Sequence, residues 1–267
     1  MDQQSKVAVI GAGVMGEALI AALISSGVNP DRITISEKRE DRAHELISKY
    51  SIKAALLNVN VSGADALLLV VKPQDMASVL EEIKGSINSK AVVITFAAGK
   101  TISFISNCLG TNNPVIRVMP NTPTLVGKGM AAASMGAGVT AAQRDFVLGF
   151  LAATGTVIEV SEDLQDAVTA TSGSGPAYFF AFVEAMVNGA KELGLSEKDA
   201  TTLTVQTIVG AAKLLEESGK NATTLRENVT SPNGTTAAAL ASFGDDNLNS
   251  IVAKAMKAAR DRSQELA

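Results

Sequence analysis

Short apolar runs of β-branched residues alternate with amphipathic stretches along the first 160 residues of the chain. The predicted strands are residues 6–10, 32–36, 66–71, 91–96, 115–119, 130–134 and 156–160. Runs without polar alternation are typical of strands buried on both faces, as in a parallel sheet. The amphipathic segments predicted as helices include residues 39–50, 73–84 and 141–153. This alternation predicts a doubly wound, mostly parallel α/β sheet with right-handed crossovers.

The strand signal stops near residue 160, and the remainder is predicted to be helical. Ser174, followed by Gly175 and Pro176, has the composition of an N-cap and opens a helix that ends near Gly194. The other predicted helices are residues 196–217, which begin with a capping-box pattern, 235–242 and 245–266. We therefore predict a dinucleotide-binding domain over 1–160 and an all-α domain over 161–267. Because that domain is small, we expect a second copy to complete its apolar stripes in a homodimer.

Composition excludes several classes of protein. Apolar residues make up 46% and aromatic residues 4%, so the core must consist of aliphatic side chains. A net charge of −4 provides no overall attraction to nucleic acid or to an anionic membrane. One cysteine and one histidine exclude an internal disulfide and Cys/His zinc sites, and we predict no metal site. The lone cysteine and the absence of a signal-peptide pattern favour a cytoplasmic protein.

The apolar stretch over residues 7–28 has the length of a membrane span, but its composition favours a different structure. It contains Glu17 and several glycines, and a strand, a tight turn and a helix explain it better. The turn has the pattern G-x-G-x-x-G and is expected to bind the pyrophosphate of a nicotinamide dinucleotide. Its residues are Gly11, Ala12, Gly13, Val14, Met15 and Gly16.

The end of the second strand bears on the choice of coenzyme. Glu37 could accept hydrogen bonds from an adenosine 2′-hydroxyl, which would favour NAD. Ser36, Lys38 and Arg39 could instead donate to a 2′-phosphate, and three donors against one carboxylate favour NADP, with NAD possible. The alternative is that Lys38, Arg39 and Arg42 form a solvated helix start.

Three further loops follow predicted strands at the carboxyl edge of the sheet, where open α/β sheets bind ligands. We expect them to contact the ribose and the nicotinamide of the cofactor, and we expect Asn58 to bind the cofactor as well. The loop residues assigned to cofactor binding are Val71, Lys72, Pro73, Ala97, Ala98, Gly99, Asn121 and Pro123.

The usual acid and base residues are nearly absent. His44 is expected on the surface, and Cys108 is expected to be a buried small apolar residue. Two loops, residues 171–176 and 231–236, combine hydroxyls and glycines at predicted helix starts, which suits a small carboxylate. Reduction of a ketone needs a proton donor, whereas a protonated C=N bond needs only positioning, for which a hydroxyl such as Thr236 suffices.

Taken together, these motifs resemble the pyrroline-5-carboxylate reductase family, the last enzymes of proline biosynthesis. The resemblance covers almost the whole chain and is most specific in residues 117–123, 172–178 and 231–236. It implies NAD(P)H-dependent reduction of 1-pyrroline-5-carboxylate to L-proline. It also implies a dimer formed through the helical domains, assembled into larger rings in some members.

The resemblance also implies roles for single residues in the helical domain. Thr236 would be the catalytic residue and would hydrogen-bond the ring nitrogen of the substrate. The other substrate-binding residues would be Ser174, Val229, Ser231, Gly234 and Thr235, and Asn228 would bind the cofactor beside them. The family commonly has glycine where this chain has Asn233, and asparagine tolerates a left-handed backbone better than other non-glycine residues.

Two alternatives stay open from the sequence. One is an oxidoreductase similar to the β-hydroxyacid dehydrogenases, which have a catalytic lysine on the long helix between the domains. Lys191 is the only lysine on the first long helix and lies near its end, which argues against this alternative. The other is a non-catalytic NADP(H)-binding paralogue, against which the intact loop at 231–236 argues.

Overall fold

The computed structural model describes residue 1 and residues 4–266, which divide into two compact units. The first unit comprises Met1–Ser174 together with Ala259–Ala267, and the second comprises Gly175–Ala258. The domain boundary predicted near residue 160 lies before this division and stays a prediction.

A single eight-stranded sheet forms the centre of the first unit. Its strands are β1 (Val7–Ile10), β2 (Ile33–Ser36), β3 (Lys53–Ala54), β4 (Ala66–Leu69), β5 (Val92–Thr95), β6 (Val115–Met119), β7 (Gly129–Met135) and β8 (Gly155–Glu159). Their order is β3-β2-β1-β4-β5-β6-β7-β8, and every pair is parallel except the antiparallel β6 and β7. The predicted doubly wound, mostly parallel sheet is confirmed. The sequence prediction missed β3, whose two residues are too few to produce an apolar run.

Helices cover both faces of this sheet. They are α1 (Val14–Ser25), α2 (Glu40–Tyr50), α3 (Leu57–Ser62), α4 (Met76–Ile83), α5 (Ile102–Leu109), α6 (Ala141–Ala152) and α7 (Gln165–Val168). Because side chains alternate along a strand, Val9 of β1 packs with Leu19 and Phe150 on one face. Ile10 packs on the other face, in a cluster that contains Leu80 of α4. The sheet is therefore buried on both sides and holds the ends of its strands rigidly.

The described part of the second unit contains helices and no strand. Its helices are α8 (Gly175–Glu192), α9 (Glu197–Glu217), α10 (Ala222–Asn228), α11 (Thr235–Asp245) and α12 (Leu248–Glu265), whose last residues belong to the first unit. Ser196 caps α9 by accepting a hydrogen bond from the backbone N of Asp199 at 3.1 Å, as the capping pattern predicts. The prediction of an all-α second half is confirmed. None of the helices within residues 4–266 has both the length and the apolar character needed to cross a bilayer.

The segment 171–176 differs from the prediction of a helix-opening loop. A π-helical turn over Thr169–Gly173 joins α7 directly to α8, and the backbone N of Ser174 bonds the oxygen of Thr169 at 2.8 Å. Ser174 has helical dihedrals (φ −85°, ψ −17°), so the prediction that it is an N-cap was wrong. The hydroxyls of Thr171 and Ser172 each donate to the carbonyl four residues before them, which keeps this hydroxyl-rich segment helical.

Candidate functional site

The sheet has a topological switch point between β1 and β4, where the strand order reverses. In open parallel sheets the crevice outside the carboxyl ends of such strands is the usual ligand site. Ile10 at the end of β1 lies in register with both Ser36 of β2 and Leu69 of β4. Leu69 in turn is level with Thr95 of β5, so the predicted loops leave the sheet at one edge.

Glycine is required at two positions of the turn after β1. Gly11 has φ +86°, and a Cβ there would lie 2.8 Å from the carbonyl oxygen of Val70. A Cβ at Gly16 would collide with the carbonyl oxygen of Gly11. The turn therefore packs directly against the end of β4, and the first turn of α1 packs directly against the turn. In contrast, a Cβ at Gly13 would meet no atom within 4 Å, so the space above Gly13 is open.

The start of α1 has the properties of a phosphate site. Gly13 is its N-cap and, having no side chain, leaves the first backbone N–H groups of the helix uncapped. Val14 is 62% exposed beside a cleft of about 390 Å³, although it is a large apolar residue. Unpaired N–H groups at a helix start attract anions, and a nicotinamide dinucleotide provides one in its pyrophosphate.

The carboxylate of Glu37 lies at the same turn. Its Oε2 accepts a hydrogen bond from the backbone N of Ala12 at 2.7 Å, and its Oε1 accepts one from the backbone N of Arg39 at 3.1 Å. The hydroxyl of Ser36 donates to the carbonyl of Ala55 at 3.0 Å, so its proton is already used. Lys38 is exposed and has no ion-pair partner among residues 4–266, while Arg39 pairs with Asp41 at 3.1 Å in solvent. Lys38 and Arg39 are therefore the cations that remain accessible at this end of the crevice.

Arg42 is part of the turn rather than a solvated residue. Its Nε donates to the carbonyl of Ala12 at 3.1 Å, and its guanidinium pairs with Glu17 of α1 and with Glu45. Its side chain is only 12% exposed. The sequence interpretation missed this role because the contact joins residues 30 positions apart. The signal available was the i, i+3, i+7 spacing of Arg42, Glu45 and Lys49, which places them on one face of α2.

Glu17 is the acidic centre of this group. Hydrogen bonds from Lys49, Arg42 and Tyr50 lower the pKa of its carboxyl from 4.5 to about 2. Since the folded-state pKa lies below the unfolded one, the ionised carboxylate stabilises the fold fully above pH 4.5 and progressively less as the pH falls towards 2.

We therefore predict a pH-dependent effect of Glu17→Gln. At pH 7 the substitution should reduce the free energy of unfolding by about 2 kcal/mol, the scale of a hydrogen bond to a charged group. The difference from wild type should shrink between about pH 5 and pH 2, because the wild-type carboxyl becomes protonated over that range. Urea unfolding at a series of pH values measures this. The control is Glu45→Gln, which removes an exposed partner of Arg42. A difference in unfolding free energy between wild type and Glu17→Gln that does not change with pH would contradict the prediction.

The remaining predicted cofactor residues lie around the same edge. Lys72 and Asn58 are exposed, Pro73 and Ala98 are partly exposed, and Ala97 is buried. The isopropyl group of Val71 would contact a Cβ at Gly11 at 3.2 Å, so this loop borders the glycine turn. Their assignment to cofactor binding stays a prediction.

The side chain of Asn121, in the loop after β6, forms two hydrogen bonds to the backbone. Its Oδ1 accepts from the backbone N of Met130 at 2.8 Å, and its Nδ2 donates to the carbonyl of Ser172 at 3.1 Å. Residue 176 is a proline and has no N–H, so it cannot give that carbonyl its usual helical donor. Asn121, which is 9% exposed, supplies a donor instead and holds the π-helical turn in place.

The second unit contains the other predicted site, the loop 231–236 at the start of α11. Asn233 has φ +60°, which confirms that asparagine accepts the left-handed conformation expected here. Gly234 is the N-cap of α11 and provides no side-chain cap, so the first N–H groups of this helix are also uncapped. Within residues 4–266 the hydroxyls of Thr235 and Thr236 have no hydrogen-bond partner. The loop thus presents N–H donors, which suit a carboxylate, beside hydroxyls whose oxygens can accept a hydrogen bond from a protonated ring nitrogen.

The sequence also singles out residues outside the two loops, and the structure differs from the prediction at Cys108. His44 is exposed on α2, and Lys191 is exposed near the end of α8, 3.1 Å from Glu197. Cys108 packs against the core but is only partly buried, so the prediction of a buried thiol was too strong. Asn228 and Val229 end α10 and are exposed.

Two family models match the chain. Residues 162–266 match the model described as pyrroline-5-carboxylate reductase dimerisation. Residues 6–99 match the model described as NADP oxidoreductase, coenzyme F420-dependent. The matches cover the two parts in which the candidate sites lie.

The chain is similar to proteins of Corynebacterium melassecola, Coxiella burnetii and Plasmodium falciparum. A pyrroline-5-carboxylate reductase of Corynebacterium melassecola is 40% identical over 264 residues, covering 97% of this chain and 98% of that protein. The solved structure of a pyrroline-5-carboxylate reductase from Coxiella burnetii has a TM-score of 0.90 at 35% identity, with 99% of each chain covered. A pyrroline carboxylate reductase structure from Plasmodium falciparum with NADP bound has a TM-score of 0.88 at 27% identity, covering 100% of this chain and 99% of that one.

Proposed function

The chain belongs to the pyrroline-5-carboxylate reductase family, and on that premise we propose how its residues reduce 1-pyrroline-5-carboxylate to L-proline with a nicotinamide cofactor. The observation that carries this proposal is the loop 231–236, which opens α11 with free hydroxyls and N–H groups in the segment that matches the dimerisation model. The reaction is the addition of a hydride to the C=N bond of the substrate.

The turn after β1 fits the cofactor. The open space above Gly13 lets a pyrophosphate approach the backbone, and the uncapped start of α1 provides N–H donors for it. Residues 11–16 would hold the pyrophosphate, and residues 71–73, 97–99 and 121–123 would border the ribose and the nicotinamide. When bound, the reduced nicotinamide supplies the hydride.

The chain's own groups then bind and orient the substrate. The backbone N–H groups of Thr235 and Thr236 and the hydroxyls of Ser231 and Thr235 hold the carboxylate, since the N–H of Gly234 already donates to the carbonyl of Ser231. The hydroxyl of Thr236 contacts the ring nitrogen and fixes the angle of the C=N bond. Because the substrate nitrogen is already protonated, no side chain needs to deliver a proton in the step, which agrees with the scarcity of acid and base residues. Ser174, whose hydroxyl has no partner within residues 4–266, contributes a further donor.

A spectrophotometric assay tests the proposal. NADPH or NADH is mixed with 1-pyrroline-5-carboxylate and the purified chain, and oxidation of the cofactor is followed together with the formation of proline. We expect turnover with at least one cofactor. The absence of turnover with both would refute the proposed function.

NADPH is the coenzyme that we propose the chain prefers, with Lys38 and Arg39 as the donors to the 2′-phosphate. Both side chains are exposed, whereas Ser36 has its proton committed to Ala55. The double substitution to alanine should raise the KM for NADPH about ten-fold and change that for NADH less than about two-fold, since an exposed ion pair contributes about 1 kcal/mol or less. Steady-state kinetics with each coenzyme measures this, and equal changes would contradict the assignment.

Glu37→Gln tests the coenzyme preference in the opposite direction. The amide still accepts a hydrogen bond from Ala12 but no longer repels a 2′-phosphate, so the ratio of the two KM values should move towards NADPH. If the ratio moves towards NADH instead, Glu37 does not face the adenosine ribose.

The quaternary structure that we propose is a homodimer formed through the helices of the second unit. The proposal is supported by exposed apolar side chains on α8 and α9, which include Phe179, Phe180, Phe182, Leu203, Val209 and Leu214. Faces of this kind are rarely left in water. Light scattering of the purified chain distinguishes a monomer, a dimer and the larger ring implied by the resemblance. The cytoplasmic location stays a prediction.

A further inference from the structure

A charged cluster lies in the first unit, formed by a buried arginine, a buried serine and two partly exposed carboxylates. We call Arg117, Glu162, Asp166 and Ser263 the Arg117 cluster. Arg117 of β6 is 4% exposed, and its guanidinium lies 3.5 Å from Oε1 of Glu162 and 3.2 Å from Oδ1 of Asp166. The hydroxyl of Ser263, near the end of α12, donates to the same Oδ1 at 2.7 Å.

The Arg117 cluster contacts the start of α5, which lies on the C-terminal side of the loop that follows β5. Besides facing Arg117, Oε1 of Glu162 accepts a hydrogen bond at 2.7 Å from the backbone N of Ile102, the first residue of α5. A carboxylate at a helix start is favourable because it meets unpaired N–H groups there. The beginning of α5, which residues 100 and 101 join to the loop 97–99, is therefore tied to Arg117 through Glu162.

On the other side of the loop, the end of α12 packs directly on Gly99. That glycine has φ +75°, and a Cβ there would lie 2.7 Å both from the carbonyl oxygen of Ser263 and from Cβ of Leu266. Ser263 is itself only 2% exposed. The same residue thus contacts the loop through its backbone and Asp166 through its hydroxyl, so one cluster restrains both sides of the loop 97–99.

We infer that the Arg117 cluster positions the loop 97–99 for the nicotinamide cofactor, and that Ser263 is a positioning residue for cofactor binding. The inference rests on the proposed function, in which this loop borders the cofactor. A loop that is already in place loses less conformational freedom on binding and therefore binds more tightly. Removing the Ser263 hydroxyl releases the end of α12 from Asp166 and lets Gly99 shift.

The test is the affinity for NADPH of the full chain carrying Ser263→Ala, measured by fluorescence titration without substrate. We expect the Kd to rise about five-fold, within the range that contacts behind a binding site modulate. The kcat with saturating substrates and the KM for 1-pyrroline-5-carboxylate should stay within two-fold of wild type. Ser250→Ala is the control, because it removes a hydroxyl from the same helix that has no partner among residues 4–266.

The outcomes separate this inference from the proposed function. If the wild type binds NADPH and turns over while Ser263→Ala matches Ser250→Ala, the positioning role is wrong and the proposed function stands. If the wild type neither binds nor reduces, both are wrong.

Should Ser263→Ala fail to fold, hydrogen exchange of the wild type decides the question. NADPH should then slow amide exchange in residues 97–101 and in residues 261–266 together. Slowing in the first segment alone would overturn the inference.

Discussion

Replacement of Thr236 by alanine is expected to lower kcat about 100-fold, the scale observed when a preorganised hydrogen-bonding group is removed from an active site. The physical reason is positional. Thr236 has a hydroxyl without a partner among residues 4–266, and it lies in the first turn of α11. Without it the ring nitrogen loses its anchor and the C=N bond is no longer held at the angle that hydride transfer needs. Steady-state kinetics with saturating NADPH measures the loss.

Two control variants distinguish the role of Thr236 from a general disturbance of the loop. Thr236→Ser keeps the hydroxyl and should retain most of the turnover. Thr235→Ala removes the neighbouring hydroxyl and should mainly raise the KM for 1-pyrroline-5-carboxylate, because Thr235 is assigned to the carboxylate. The Kd for NADPH should be unchanged in Thr236→Ala. An equal loss of turnover and of cofactor affinity would contradict the assigned role.

The second large effect is expected from Gly13→Ala, which should weaken NADPH binding about 30-fold or more. The added methyl group points into open space in the free protein but would stand where a pyrophosphate must approach the start of α1. Losing even one charge-assisted hydrogen bond costs about 2 kcal/mol, which corresponds to that factor. The unfolding free energy should fall by about 1 kcal/mol or less, which is the difference between glycine and alanine at an N-cap. Fluorescence titration and urea unfolding measure the two quantities.

Gly11→Ala is the matched contrast in the same turn. Its Cβ would meet the carbonyl of Val70 at 2.8 Å, and its φ of +86° is unfavourable for alanine. We expect a loss of about 2 kcal/mol or more of folding stability. If Gly13→Ala destabilises the fold as much as Gly11→Ala does, the space above Gly13 is not open, and an unchanged Kd for NADPH in Gly13→Ala would show that it is not a ligand site.

Much of the fold was predictable because its elements are long and strongly patterned. Seven of the eight strands follow from apolar runs, and the glycine turn predicts the start of α1. The prediction missed α3, α5, α7 and α10, which have six, eight, four and seven residues and too few turns to show a periodic pattern. The error at 171–176 has a different cause. Glycine, proline and hydroxyls normally break a helix, but here a π-helical turn and Asn121 satisfy the backbone.

The candidate site was predictable only where residues close in sequence form it. The loop 231–236 and the turn 11–16 are local motifs, and the left-handed Asn233 follows from local backbone preference. The links from Arg42 to Ala12 and from Ser263 to Asp166 join residues 30 and 97 positions apart. No local pattern marks such partners, so the tertiary structure was needed to find them.

The most direct test of the central claim follows the hydride itself. The purified chain is incubated with 1-pyrroline-5-carboxylate and NADPH that carries deuterium at the transferable position of nicotinamide C4, and the product is analysed by mass spectrometry and NMR. The proposed function predicts L-proline with one deuterium at C5, the carbon of the former C=N bond. Failure to form proline, or proline without deuterium at that carbon, would contradict it.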